Sequence, residues 1–363
     1  MKEQKVQRLS SKAWSYEHAW LSGPKFDAIF IAGVLFIALL SGAIVAYDND
    51  LFLPVLMLDL WLLGYHHVIS TFTKLAGTAQ DRSENRFFIL YLPCIVVASV
   101  AALGLGIGLW LITTIYFFWQ WYHYVRQAYG VATFYRRRAQ HQSSENALIS
   151  QAALWSIPIT GLLYRCYQGW DEFLFQTLWT PDIPFFIVAI SSAITIVLLI
   201  YWVYTRLIAF QQGTLAMGEF LFTLSHFTAF YVGYIHIDDI NIGWLVANIW
   251  HNAQYILFVW LYNTKRFASS NNADAKTLVG WLSQNTPIRI LLYFLVCLLA
   301  TSVFYQSLMT TIKTMFSENA AMISAVNILV FQSLNFHHYV VDSFIWKVRK
   351  KKHQEVMQLR QAD

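Results

Sequence analysis

Long stretches of apolar side chains, broken at short intervals by polar clusters, fill this chain from about residue 28 to residue 346. Ten can be read, at about 28–46, 51–73, 87–107, 109–134, 147–167, 183–210, 217–236, 243–263, 288–311 and 321–346. Each approaches or exceeds the roughly 20 residues with which a helix crosses the hydrocarbon of a bilayer. The runs are continuously apolar rather than alternating, which predicts helices in place of a barrel, and a helix satisfies its own backbone in lipid. The pattern therefore predicts an all-α, polytopic transmembrane helical bundle of about ten spans.

The polar breaks carry a second pattern. Lys2, Lys5, Arg8, Lys12 and Lys25 precede the first run, and alternate breaks then hold Arg82 with Arg86, Arg136 to Arg138, Arg206, and Lys265 with Arg266. Lys347, Arg349 and Lys350 to Lys352 follow the last run. The intervening breaks hold Asp48 and Asp50, then Asp171, Glu172 and Asp182, then Asp238 and Asp239, with Lys313 their only basic residue. Short cytoplasmic loops collect Lys and Arg, so both termini are expected in the cytoplasm, as an even number of spans requires. The expected location is a bacterial inner membrane.

Composition agrees with this class. The 363 residues are 57% hydrophobic and 12% charged, against roughly 25% charged in ordinary soluble domains. Residues 1–27 are polar without the short apolar core of a signal peptide, so the first span is expected to act as the insertion signal. The expected organisation is an N-terminal arm (1–27), one bundle (28–347) and a basic cytoplasmic tail (348–363). Trp14, Tyr16 and Trp20 suit a short interfacial helix in the arm. Cys94, Cys166 and Cys297 are isolated in apolar runs, which argues against a disulfide framework or a thiolate zinc site. The net charge of +5 is accounted for by topology and attraction to anionic lipid headgroups, and nucleic acid is not an expected partner. Gly104, Gly106 and Gly108 lie between two spans and lack the strand and spacing of a dinucleotide loop. They predict a tight connection or a close helix contact. A faint echo links GYHHVISTFTK (64–74) with NFHHYVVDSFIWK (335–347), each placing a double histidine before a phenylalanine and a lysine.

The candidate chemistry lies in the histidines. His66, His67, His123, His226, His251, His337 and His338 fall inside apolar runs, and an ionisable side chain at membrane depth requires a partner and commonly marks a pathway, a relay or an ion. His67 precedes Lys74 by seven residues, His123 precedes Arg136 by thirteen, His251 precedes Lys265 by fourteen and His338 precedes Lys347 by nine. At 1.5 Å per residue these separations are roughly 10–21 Å of rise, so the imidazoles can share one layer in the middle to cytoplasmic half of the bundle. Four helices each bringing an imidazole to one layer meet the requirement of a metal site between helices, and imidazole suits iron, copper or zinc. The candidate metal ligands are His66, His67, His123, His251, His337, His338 and Asp342. Adjacent histidines diverge by about 100°, so one member of each pair is free to face a second metal, a neighbouring helix or substrate. Asp342 shares a helix face with His338 and is expected either to ligate or to orient an imidazole through its second nitrogen. Gln127, Gln254 and Tyr255 are candidate supporting partners. Arg126 is expected to meet a carboxylate such as Asp342 or a substrate anion, and Asp59 is a lesser candidate nearer the outer face. His226 is expected to pair with a carbonyl or hydroxyl, and His236 with Asp238 and Asp239.

Histidines on several spans, with a carboxylate four residues after His338, resemble the bacterial Brp/Blh-type membrane β-carotene dioxygenases and, more loosely, the histidine-rich membrane desaturases and hydroxylases. The stretches concerned are 64–74, 119–127, 249–255 and 335–347, and they contain no HxxxH or HxxHH box. The resemblance implies non-haem iron and oxidation of a lipophilic small molecule by O₂; the candidate catalytic residues are His338 and Asp342, together with Arg126 for its position at membrane depth. No flavin or nicotinamide fold is legible, so an electron-donor protein is an implied partner unless the reaction is a dioxygenation. His337, His338 and Asp342 also spell HHxxxD, as in soluble acyltransferases, here within an apolar span and without the following glycine. Two classes stay open: a metal-dependent oxidoreductase acting on a lipid or isoprenoid, and a transporter or acyltransferase whose histidines relay protons or act as general base.

Overall fold

The computed structural model describes residues 20–139, 147–268, 273–317 and 319–359. Every one of the ten apolar runs is helical. In chain order the helices begin with α1 (Pro24–Tyr47) and α2 (Asn49–Leu75), the short α3 (Ala79–Glu84), α4 (Phe87–Gly106) and α5 (Leu109–Arg138). They continue with α6 (Ala147–Gln168), α7 (Phe185–Gln211), α8 (Met217–Tyr231) and α9 (Ile240–Arg266). The short α10 (Leu278–Leu282), then α11 (Pro287–Met315), α12 (Ala320–Ile345) and the short α13 (Lys351–Val356) complete the set. The one sheet among the described residues is a hairpin of β1 (Glu172–Phe173) and β2 (Gln176–Thr177), whose Phe173 packs on Phe117 and Trp244.

Seven helices (α1, α2, α4, α6, α7, α11 and α12) are long and apolar enough to cross a membrane, and the chain is a multi-pass, all-α membrane protein. That is fewer than the ten runs of the sequence, for a physical reason. Helices α5 and α9 are 30 and 27 residues long, but they carry His123 and Gln120, and Asn248, His251, Asn252 and Gln254, as buried side chains. Polar groups turned inward lower a helix's apolarity without exposing it to lipid. Helix α8 is regular for only 15 residues before a π turn at Val232–His236.

Helix α9 is the axis of the bundle, buried almost continuously from Ile240 to Asn263. Small residues let its neighbours close on it: a Cβ on Gly243 would lie 2.1 Å from the Gly233 carbonyl oxygen, and one on Gly42 of α1 would lie 2.4 Å from Val246. The glycine run 104–108 gives both expected features. A Cβ on Gly104 would meet Leu329 of α12 at 2.3 Å, and Gly108 turns the chain at φ +140°, a conformation that glycine adopts without steric cost.

The two ends differ in chemistry. At one end Arg266 bonds Asp81 at 2.7 and 3.1 Å, Arg136 bonds Glu219, Lys265 reaches the Leu21 carbonyl at 2.7 Å and Arg138 the Trp20 carbonyl at 2.6 Å. At the other end buried Arg165 donates to the carbonyls of Gly233, Ile237 and Asp238. Asp239 caps α9 by accepting from Asn241 and Ile242.

The bundle begins at Pro24, held by Asp27, whose carboxylate accepts the backbone N–H groups of Leu21, Ser22 and Gly23. Of the tail, residues 348–359 fold back on the bundle, with His353 and Met357 buried. The interfacial helix expected around Trp14 and Tyr16 lies outside the described residues.

Candidate metal centre

Four helices meet around a buried cluster: α2 brings His67, α5 His123, α9 His251, and α12 His338 and Asp342, none more than 7% exposed. The His67 and His338 Nε2 atoms are 2.9 Å apart. Asp342 Oδ2 lies 3.5 Å from His338 Nε2 and 3.9 Å from His123 Nε2. One ligand atom from each of His67, His123 and His251 falls within 4.8 Å of the others, and the same holds for His123, His338 and Asp342. These groups can hold a metal ion.

Local structure aims the rings. A π turn at Leu60–Gly64 interrupts α2 just before the double histidine, a feature common at functional sites. His67 Nδ1 donates to the Gly64 carbonyl at 2.7 Å, which leaves a lone pair on its Nε2. His338 Nδ1 lies 3.1 Å from Thr71 Oγ1, which lies 2.9 Å from the Tyr255 hydroxyl. Tyr255 in turn donates to Asp342 Oδ1 at 2.6 Å and accepts from Trp346 Nε1 at 3.1 Å. With His338 Nδ1–H donating to Thr71, His338 presents a lone pair at Nε2 and the two facing nitrogens can share a cation; in the other tautomer His338 Nε2–H donates to His67 Nε2 across the same 2.9 Å. Imidazole–metal bonds of about 2.1 Å place neighbouring ligand atoms about 3 Å apart at right angles.

Unpaired atoms point the same way. His123 Nε2 and both ring nitrogens of His251 are buried without a hydrogen-bond partner, and each such group costs about 1–3 kcal/mol. A shared metal would satisfy one nitrogen on each ring. Tyr124 stacks on His251 with ring centroids 4.1 Å apart and donates to Asn248 Oδ1. Asn248 in turn donates to buried Asp59 at 2.5 Å, so Asp59 reaches the cluster through two side chains and is not one of its ligands.

Two of the predicted ligands are not brought to the cluster. The His66 ring turns to Phe294 of α11, with Nδ1 on the Leu62 carbonyl at 3.1 Å. His337 Nε2 donates to the Phe88 carbonyl at 2.7 Å, and the ring stacks on Phe72. The roughly 100° step between adjacent helical residues allows only one of each pair to face inward, and in both it is the second. Asp342 also differs from one expected role: it sits beside the inward Nε2 atoms, and Thr71 holds the second nitrogen of His338. Arg126 makes no ion pair with Asp342; its guanidinium lies over the Tyr129 ring at 5.4 Å. His226 bonds the Leu154 carbonyl at 2.9 Å, as expected. His236 stacks on Tyr231, while Asp239 is spent on the cap of α9.

Thr71, Tyr124, Asn248 and Trp346 were not among the sequence candidates for the site. A signal for Thr71 was present: it follows His67 by four residues as Asp342 follows His338, at matching positions of the two echoing stretches, and both bond Tyr255.

A cavity of about 720 Å³ opens from His123 and Asp342 between α5 and α12, with Tyr255 and Phe258 of α9 behind it and Arg137, Lys347 and Arg349 at its far end. Comparison with protein-family models, with curated proteins and with solved structures finds no match for this chain.

Proposed function

We propose that this protein is an integral-membrane, metal-dependent oxidoreductase that uses O₂ on a lipid or isoprenoid substrate. The observation that carries the reading is the convergence of four buried imidazoles and Asp342 from four helices, with three ring nitrogens that nothing in the protein satisfies. His67, His123, His251, His338 and Asp342 hold the metal, and iron is the assignment that suits a mixed imidazole and carboxylate set with O₂ as oxidant. When bound, the metal supplies the redox chemistry with O₂. The chain's own groups do the rest. Thr71 and Gly64 fix the ring tautomers, Tyr255 steadies Asp342, and the aromatic cavity against His123 seats the substrate away from water. The Brp/Blh-type resemblance fits this class, and a reaction that inserts one oxygen atom needs two electrons from a donor protein.

The same reading takes the ten long helices as ten spans in a bacterial inner membrane, with both termini cytoplasmic. The ties among residues 20–27, 81, 136–138, 219 and 265–266 at the basic end support an even number of crossings between those segments. The experiment is metal analysis of detergent-purified protein followed by O₂ consumption with candidate lipids. Iron near one or two equivalents, lost together with O₂ uptake in His251→Ala, is the expected result; metal-free wild type under iron supplementation would sink it. One observation favours a second reading. The buried line Asp59, Asn248, Tyr124 joins the outer half of the bundle to His251, as a proton relay would. Proton flux in proteoliposomes that stops in Asp59→Asn while metal is absent would select it.

A further inference from the structure

We propose that the groove between α5 and α12 binds a single long apolar chain with an anionic head, the head at Arg137, Lys347 and Arg349 and the chain reaching His123 and Asp342. The inference rests on the cluster being a reaction centre for a lipid and adds the substrate's shape and charge. The groove follows one stripe of α5: His123, Gln127, Gly130, Phe134 and Arg137 all line it, at the spacing that keeps residues on one helix face. Fourteen residues separate His123 from Arg137, roughly 21 Å of rise, so the groove is long. Aromatic side chains contribute much of its lining, Trp119, Tyr129 and Phe134 of α5 and Phe258 of α9, with the Phe134 and Phe258 rings 5.1 Å apart. At Gly130 nothing lies within 4 Å of a built Cβ, so the floor is open there. Its volume suits a small-molecule ligand, for which pockets are about 300–1,000 Å³.

Charge identifies the head. Several other basic groups at this end have partners: Arg266 and Lys352 pair with Asp81, Arg136 with Glu219, and Arg138 and Lys265 donate to backbone carbonyls. Among the described residues no carboxylate forms an ion pair with Arg126, Arg137, Lys347 or Arg349. Arg137 Nη1 and Gln127 Oε1 are buried without a hydrogen-bond partner, and Lys347 lies only over the Phe344 ring, at 4.5 Å. A guanidinium and an ammonium group without counterions at the end of an aromatic groove match a carboxylate or phosphate head, since such groups bond oxyanions with charge assistance. Tyr122 and Phe344 are exposed on the flank of the groove, which gives a bilayer lipid a sideways entrance.

The test is equilibrium binding of tritiated palmitate to the purified full chain in detergent, with hexadecanol as the uncharged chain of the same length. Palmitate should bind at one equivalent, about tenfold or more tighter than hexadecanol, because half-buried cations without a carboxylate partner gain one. The double variant Arg137→Gln, Lys347→Gln should lose that preference while keeping its hexadecanol affinity and metal content, and Arg137→Lys, Lys347→Arg should restore most of it. Gly130→Phe should exclude both ligands. Equal affinity for the two chains, or palmitate binding indifferent to the double glutamine variant, would overturn the proposal; so would displacement of palmitate by the two-chain lipid phosphatidylglycerol. Palmitate binding by His251→Ala should stay near the wild-type value, so a failure of the metal reading and a failure of this one are read separately.

Discussion

His251 contributes two buried ring nitrogens with no partner, whereas His66 and His337 each have a nitrogen on a backbone carbonyl. Direction separates ligands from neighbours of the same residue type: His67 also bonds a carbonyl and His66 also has an unpartnered Nε2, but the His67 and His251 rings face the cluster while the His66 ring turns to Phe294. Replacing His67, His123, His251 or His338 by Ala should strip most of the bound metal, measured by elemental analysis of purified protein; His66→Ala and His337→Ala should retain it. Metal loss in all six alike would mean that the changes act through folding, and the assignment would fall. Tyr255→Phe is a finer probe. It keeps the ring in place but removes the hydroxyl that bonds Thr71 and Asp342, and losing such a supporting partner typically costs 10–100-fold in metal affinity. A chelator titration that gives equal midpoints for wild type and Tyr255→Phe would show that the hydroxyl plays no part in holding the ligands.

Among the elements, the histidine-bearing helices were legible because a side chain that needs water is conspicuous in an apolar run. Which member of each histidine pair faces inward was not, since it depends on helix rotation. In α2 that rotation follows a π turn at Leu60–Gly64, whose backbone shift leaves no mark in periodicity. The closeness of α9 to its neighbours was also hidden, because an isolated glycine in a span looks like any small residue. Gly243→Ala should cost about 1–3 kcal/mol as an overpacking change, read as a lowered unfolding midpoint in detergent, because its Cβ would meet the Gly233 carbonyl. Gly106→Ala, which meets nothing within 4 Å, serves as its control and should leave the midpoint unchanged or higher. The short helices at the basic end bring a pH dependence. Burial, followed by the nearby Lys74 charge, lowers the His353 pKa to about 3, so this ring stays neutral in the fold while the unfolded chain takes up a proton near pH 6.5. Between those values the unfolded state binds more protons, so stability falls as pH falls from about 6.5 toward 3. Asp81 acts lower down. Burial raises its carboxyl, but hydrogen bonds and charge from Arg266 outweigh this and hold it below the usual value, so its contribution is present above about pH 3.9 and lost as acid protonates it. His353→Gln should flatten the loss of midpoint between pH 7 and pH 5; an unchanged slope would place the acid sensitivity elsewhere.

At the scale of the whole molecule, the bundle was the most legible part of the chain, since continuous apolar runs leave few alternatives in lipid. Length and apolarity mark seven helices, and the three remaining apolar runs of the sequence include α5 and α9, which carry two of the four clustered imidazoles. A helix that turns histidines, asparagines and glutamines inward is less apolar along its sequence, so length and composition alone do not mark it as membrane-spanning. The proposed orientation is testable on this ground. Contacts join segments that the alternating charge pattern assigns to one side: Arg138 to Trp20 and Met357, Lys265 to Leu21, and Arg266 and Lys352 to Asp81. If α5, α8 and α9 cross as the other long helices do, each of these segments is separated from the next by an even number of spans. Reporter fusions after residues 138, 266 and 352 should then read cytoplasmic, and fusions at 49 and 239 external. A fusion at 239 that reads cytoplasmic while those at 138 and 266 hold would mean that α8 and α9 do not both cross. His251 would then lie outside the bilayer's interior, and the cluster would have to be rebuilt as a surface site.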